Sequence, residues 1–203
     1  QVGEPAGVEL EEVVVTGSRI ARPDYDSPSP VVSLSEETFA LSGELQLETV
    51  LNTMPQVVAS ITTTSNNPSN GGQANIDLRG LGTTRNLVLL DGTRLTPSNV
   101  TGVVDLNTVP QSLISGVEIL TGGASSVYGS DAIAGVVNIR LRNDFEGVEL
   151  NAQYGVTDKS DGTTYSFEGL IGGNFADDRG NAVMAISYDT RDAVLAGSRG
   201  FGQ

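Results

Sequence analysis

The segment from Val117 to Arg140, VEILTGGASSVYGSDAIAGVVNIR, constrains the fold more than any other part of the chain. It reads as a strand, a Gly-Gly turn, one short helix and a second strand. Val117, Ile119 and the run Val136-Val137-Asn138-Ile139 supply the β-branched residues that suit a pleated, half-buried surface. Gly122 and Gly123 permit a tight reversal that a Cβ would obstruct. Nothing in the segment suggests catalysis. A small mixed α/β unit is expected here, and the chain that follows has a different character.

From Phe145 onward the apolar residues recur with a period of two. Val148, Leu150, Ala152, Tyr154 and Val156 alternate with Glu149, Asn151, Gln153, Gly155 and Thr157. Asp158 to Gly162 reads as a turn. Tyr165, Phe167, Ile171 and Phe175 then share one face, with Ser166, Glu168 and Asn174 on the other. A second turn spans Asp177 to Gly180, and Ala182, Met184, Ile186 and Tyr188 repeat the scheme. Segments of about ten residues with polar turns between them are the signal of membrane β-barrel strands, and a soluble antiparallel meander gives the same alternation. Gly169 and Gly173 weaken a packed soluble core and are easier to accept in a barrel wall.

Composition narrows the chemistry. The 203 residues include no Cys and no His. Disulfide frameworks, thiolate chemistry, Ser-His-Asp triads, the usual zinc sites and His-ligated haem therefore have nothing to use. The formal net charge of −14 argues against nucleic-acid binding and against a basic patch on anionic lipid. No apolar run approaches the roughly 20 residues of a membrane-spanning helix, so a membrane would be met by strands. Asp77 and Asp105 lie near apolar strands, but Asp91 serves the turn before Gly92, and Asp131 reads as a turn or cap. No phosphate loop or nucleophile elbow accompanies them, so the chain is expected not to be an enzyme and to need neither cofactor nor metal. No signal peptide is visible at Gln1, as expected of a secreted chain numbered from its mature end or of a cytosolic one.

Residues 1–29 read as a tether, because their prolines and glycines oppose regular structure. Within it, Leu10 to Gly17 carries three consecutive valines. These are either a short edge strand of the following domain or a strand donated to another protein's sheet edge. Val31 to Leu34 reads as a strand. Ser35 with Glu36 and Glu37 suits a helix N-cap and first turn, with Phe39 and Leu41 as the apolar face and Gly43 as the end. Glu44 to Met54 reads as a second helix closed by Pro55. Residues 60–75 form a long polar loop of the kind that is functional or disordered. Ile76 to Gly80 is expected to be a strand, and Leu87 to Leu90 an apolar one followed by an Asp91-Gly92 hairpin turn. Asp105 to Pro110 is expected to be extended and Gln111 to Ile114 a helical turn.

Three motifs, in order, carry a family resemblance. Glu12-Val13-Val14-Val15-Thr16-Gly17 resembles the TonB box. Ile76-Asp77-Leu78-Arg79-Gly80 with Asn86-Leu87-Val88-Leu89-Leu90-Asp91-Gly92 resembles the central plug motif, and Val117–Leu120 through Tyr128–Ile139 the C-terminal plug motif. The chain thus resembles the plug domain and first barrel strands of a TonB-dependent outer-membrane receptor. It departs where the family often has Arg-Gly-Pro, reading Thr121-Gly122-Gly123, so only Arg79 matches the family's pair of plug arginines.

The resemblance implies an α+β plug domain followed by antiparallel transmembrane β-barrel strands, in a barrel of about 22 strands when complete. It divides the chain into a periplasmic tether with the TonB box (1–29), a plug (30–142) and about three barrel strands (145–203). Three strands cannot close a barrel, so the chain is expected to be the N-terminal portion of a longer receptor. The implied function is uptake of a scarce or large solute across the Gram-negative outer membrane, of oligosaccharide or ferric siderophore class, with the plug gating the barrel. The implied partners are TonB, energised through ExbB and ExbD, outer-membrane lipid, the small-molecule substrate and, as an option, a surface lipoprotein. Glu12, Val13, Val14, Val15 and Thr16 are the expected TonB-binding residues, and Arg79 and Arg94 the expected plug–barrel contacts. Asn66, Asn67, Asn70, Thr84, Arg85, Asn86, Ser98 and Asn99 are the expected substrate contacts on loops at the plug apex. The alternative is a soluble acidic α+β interaction or adhesion module, which would stay monomeric in buffer without detergent.

Overall fold

The computed structural model describes residues 30–44, 46–60, 62, 72–159, 162–176 and 179–194. Five strands, β1 (Val31–Ser35), β2 (Asn86–Leu90), β3 (Thr93–Arg94), β4 (Ile114–Thr121) and β5 (Gly135–Leu141), form one sheet in the order β1-β4-β5-β2-β3. β5 runs parallel to β2, and the other neighbours are antiparallel. Both faces of the central strands are covered. Leu34, Val88, Val117, Ile119, Val137 and Ile139 face α1 (Glu36–Ser42), α2 (Leu47–Leu51) and the segments that carry Val57, Leu78, Leu106 and Val109. Leu87, Leu89, Leu120 and Val136 face the opposite way, onto Ala124, Ala132 and Tyr128. Those last residues belong to the β4–β5 connection, which contains the short helix α3 (Ser125–Tyr128). Strands buried on both sides need continuous apolar runs, which NLVLL and GVVNI supply. Each fully buried Ile or Val contributes roughly 1.5–3 kcal/mol.

Local structure departs from the sequence pattern at several points. Ile76–Gly80 is not a strand: Leu78 forms only an isolated bridge with Val57, because a side chain, Asn86, takes the backbone groups a neighbouring strand would use. Residues 105–110 are extended only at the flanks of a turn, at Asp105 and Val109. Leu106–Thr108 is a 3₁₀ turn whose preceding Asp105 accepts the Asn107 N–H at 3.1 Å. α2 is confined to Leu47–Leu51, with turns from Asn52 to Gln56. Ser35 stands at the N-cap of α1 without capping it, since its hydroxyl meets Thr38 Oγ1 instead. Phe39 is buried and Leu41 is 79% exposed, as two residues about 200° apart around a helix must be. The Asp91-Gly92 turn forms as expected, with φ of 46° and 74°. Gly92 N–H donates to Asn138 Oδ1 at 2.9 Å, and Leu141 N–H to Asp91 Oδ1 at 3.0 Å, so the turn is bonded to β5.

The second sheet is an antiparallel meander of β6 (Gly147–Gly155), β7 (Thr164–Phe175) and β8 (Gly180–Arg191). Its register places Val148 beside Ile171 and Met184, Leu150 beside Gly169 and Ile186, and Ala152 beside Phe167 and Tyr188. These residues, with Tyr154 and Tyr165, form one apolar face, and most of them are exposed. Glu149, Asn151, Gln153, Ser166, Glu168, Leu170, Ser187 and Asp189 alternate with them and lie on the opposite face. A one-residue slip would exchange the faces completely, so the pattern fixes the register. β7 and β8, at 12 residues each, exceed the roughly 9–11 that a tilted strand needs to cross the hydrocarbon layer.

Candidate functional site: the plug turns and the plug–wall seam

Asn86 opens β2 and is buried. Its Oδ1 accepts the Leu78 N–H at 3.1 Å, and its amide donates to Ile76 O at 3.1 Å and Gly82 O at 2.8 Å. Asp77 Oδ1 accepts the Gly82 N–H at 2.9 Å. On the other side of the turn, Val58 N–H donates to Asp77 O and Arg79 N–H to Gln56 O, both at 2.8 Å. These bonds hold Arg79 at φ 58°, a left-handed backbone that costs a non-glycine residue about 1–2 kcal/mol. The Arg79 guanidinium donates to Ala134 O at 2.9 Å, and Ala134 N–H donates to Arg85 O at 2.9 Å. Arg79 and Arg85 therefore bracket the start of β5.

Arg94 leaves β3 and donates to Asp131 Oδ2 and to Tyr128 O, tying the sheet edge to the β4–β5 connection. Among the described residues, these hydrogen bonds of the Arg79 and Arg94 side chains stay within the five-stranded domain. The expected substrate contacts divide by what their side chains already do. Thr84 and Arg85 are exposed, with Arg85 Nη1 donating to Leu81 O at 2.5 Å. Asn86 is committed to three backbone partners. Ser98 Oγ accepts the Asp105 N–H at 2.9 Å, and Asn99 Oδ1 accepts from Thr101 N, Thr101 Oγ1 and Val103 N. Those two residues shape their loop, and the side chain at its tip is the fully exposed Val100. Glu12, Val13, Val14, Val15 and Thr16, and also Asn66, Asn67 and Asn70, lie outside the described residues.

A seam between the two sheets brings together residues that the sequence pattern did not connect with one another. Arg142 Nη2 reaches Glu36 Oε1 on α1 at 2.6 Å, and its Nη1 reaches Glu149 Oε2 on β6 at 2.8 Å. Gln153 Nε2 donates to Gly43 O at 2.6 Å, and Asn181 Nδ2 to Phe145 O at 3.0 Å. Glu168 lines two small cavities along this seam, one with Phe39, Asn151 and Gln153 and the other with Gln46, Asn107 and Asp189. The polar face of the meander therefore lies against the five-stranded domain, and its apolar face points away. The one advance sign of this seam is a cation placed just before the period changes.

Residues 23–136 match the family TonB-dependent Receptor Plug Domain. Among solved structures, the fold is similar to the ferric enterobactin receptor PfeA of Pseudomonas aeruginosa, with TM-score 0.62 and 22% identity over 81% of this chain and 25% of that one. The siderophore receptor PirA of Pseudomonas aeruginosa is similar at TM-score 0.61 and 23% identity over 83% of this chain and 30% of that one. The unliganded ferric citrate transporter FecA is similar at TM-score 0.64 and 23% identity over 80% of this chain and 25% of that one. The chain spans 25–30% of the length of these receptors. Plug sheet and meander together have the fold of the corresponding part of plugged-barrel receptors, and the chain belongs to the TonB-dependent receptor plug domain family.

Proposed function

We propose that this chain is the tether, plug and opening wall strands of a receptor that imports a solute across the Gram-negative outer membrane under TonB control. The observation that carries this reading is the register of β6–β8, which gathers the apolar side chains on an outward face and turns the polar ones toward the plug. An apolar face of this extent suits hydrocarbon and is a liability in water. We divide the chain at 1–29, 30–142 and 145–203, with the N-terminus periplasmic and the plug inside the barrel. An outer membrane holds no ATP, so the work must come from a partner. Glu12–Thr16 is our candidate for the strand that TonB captures by backbone pairing, with ExbB and ExbD supplying energy.

Thr84, Arg85 and Val100 are among the exposed side chains that the described apex loops offer to a solute. With one fixed charge among them, they favour a neutral solute such as an oligosaccharide over an anionic ferric siderophore. Arg79 and Arg94 brace the plug from within, and any wall contact of theirs belongs to strands other than β6–β8. The test is uptake by cells that express the full-length receptor, with TonB present or deleted. Uptake lost without TonB, and lost again on deleting residues 12–16, supports the reading. Equal uptake in both backgrounds overturns it.

A further inference from the structure

Arg142 directly follows β5 and is fixed through its backbone, its N–H donating to Leu113 O at 2.9 Å. Its guanidinium forks between two carboxylates on different bodies: Glu36, in the first turn of α1, and Glu149, on β6. Only 14% of the Arg142 side chain is exposed, and the ring of Phe145 lies 5.8 Å away across its face. The segment after Arg142 is seated on the wall. Phe145 O accepts from Asn181, and it lies 2.3 Å from where a Cβ on Gly172 would stand. Only glycine leaves room for the chain to cross β7 at that point. The Phe145 segment, Glu149 and the wall are thus bonded together. Arg142 stands at their junction with the end of β5, its backbone held by Leu113 O, and Glu36 lies on α1.

The two legs of the fork are not equivalent. Without Glu149, Arg142 still ties α1 to a linker that is bonded to the wall. Without Glu36, Arg142 stays with the end of β5 and with Glu149 on the wall, and α1 loses its charged tie. A guanidinium suits this double duty because its planar fork can serve two carboxylates at once.

We propose that Arg142 is the latch that keeps the β1–α1 end of the plug on the barrel wall, and that the latch opens on its Glu36 side. The proposal rests on the plug-in-barrel reading. Among the described residues β1 is an edge strand paired only with β4, and α1 follows it without a break. A load arriving from the N-terminus therefore reaches Glu36 as soon as β1 moves, while Arg142 remains with Glu149. Arg142 is a positioning residue: it sets where α1 rests before the plug rearranges.

The test is amide hydrogen exchange on the purified full-length receptor in detergent. Glu36→Gln is expected to raise exchange across residues 36–42 by roughly two- to fivefold, the scale of a half-exposed ion pair, without changing β4 or β5. Glu149→Gln is expected to leave that exchange at the wild-type level. Reversing all three charges, in E36R/R142E/E149R, is expected to restore protection. No change in Glu36→Gln, or equal release of α1 in both single variants, overturns the proposal. Both carboxylates are about half exposed, so these variants test the latch even where Arg142 itself tolerates no replacement. TonB-independent uptake would overturn the transport reading while leaving this asymmetry measurable.

Discussion

Leu78 Cδ1 lies 2.7 Å from where a Cβ on Gly135 would stand. Leu78 is completely buried, and Gly135 is the first residue of β5. Their approach presses the turn at Leu78–Gly80 onto the centre of the sheet. A Cβ at Gly135 would also come within 2.3 Å of Leu120 O, a backbone atom that cannot swing aside.

Gly135→Ala is therefore expected to destabilise the plug by about 1–3 kcal/mol, the usual range for overpacking. Gly123→Ala is the control, since nothing stands within 4 Å of its Cβ position, and it is expected to change stability by less than about 0.5 kcal/mol. Denaturant unfolding of the full-length receptor measures both.

Asn86→Ala removes bonds to Leu78 N–H, Ile76 O and Gly82 O, leaving buried backbone groups without partners. The expected loss is about 2–4 kcal/mol, at about 1–3 kcal/mol per buried group left unsatisfied. Asn86→Asp is expected to be at least as damaging, because it directs a buried negative charge at two carbonyl oxygens. Thermal unfolding of the two variants side by side decides the order.

Ile186 sits on the outward face opposite Gly169, and Asn151 sits on the inward face. Ile186→Lys is expected to cost about 2–4 kcal/mol if its position meets the membrane midplane, while Asn151→Lys costs far less. The fraction of receptor recovered as folded barrel in outer-membrane preparations reads this contrast.

Arg94→Ala is expected to be mild, near 0.5–1 kcal/mol, because both members of its ion pair with Asp131 are about half exposed to water. A larger loss in an unfolding experiment would mean that its bond to Tyr128 O holds more of the β4–β5 connection than the geometry implies.

The strands were legible in the sequence because alternation is a one-dimensional property. Val148 to Tyr188 reveals its faces without any knowledge of what lies against them, and the apolar runs of β2, β4 and β5 declare themselves buried. The turn at Leu78–Gly80 was not legible. Ile76-Asp77-Leu78 has strand-like residues, but the partner that satisfies its backbone is the side chain of Asn86, which no periodicity encodes. Leu41 cannot share a buried face with Phe39, since a two-residue step suits a strand face and not a helix face. The seam was hidden for another reason: Arg142 and Glu36 are 106 positions apart, and only the fold brings them within 2.6 Å.

The central claim is that β7 stands in a membrane with alternate residues facing lipid and plug. This chain has no native cysteine, so single cysteines from Tyr165 to Ile171 can be scanned in its native membrane in a full-length receptor from which any cysteine outside these 203 residues has been removed. The account predicts that positions 165, 167, 169 and 171 resist a water-soluble maleimide and react with a lipid-phase one, while 166, 168 and 170 are shielded from the lipid-phase reagent. Uniform labelling of both sets by the water-soluble reagent would contradict it.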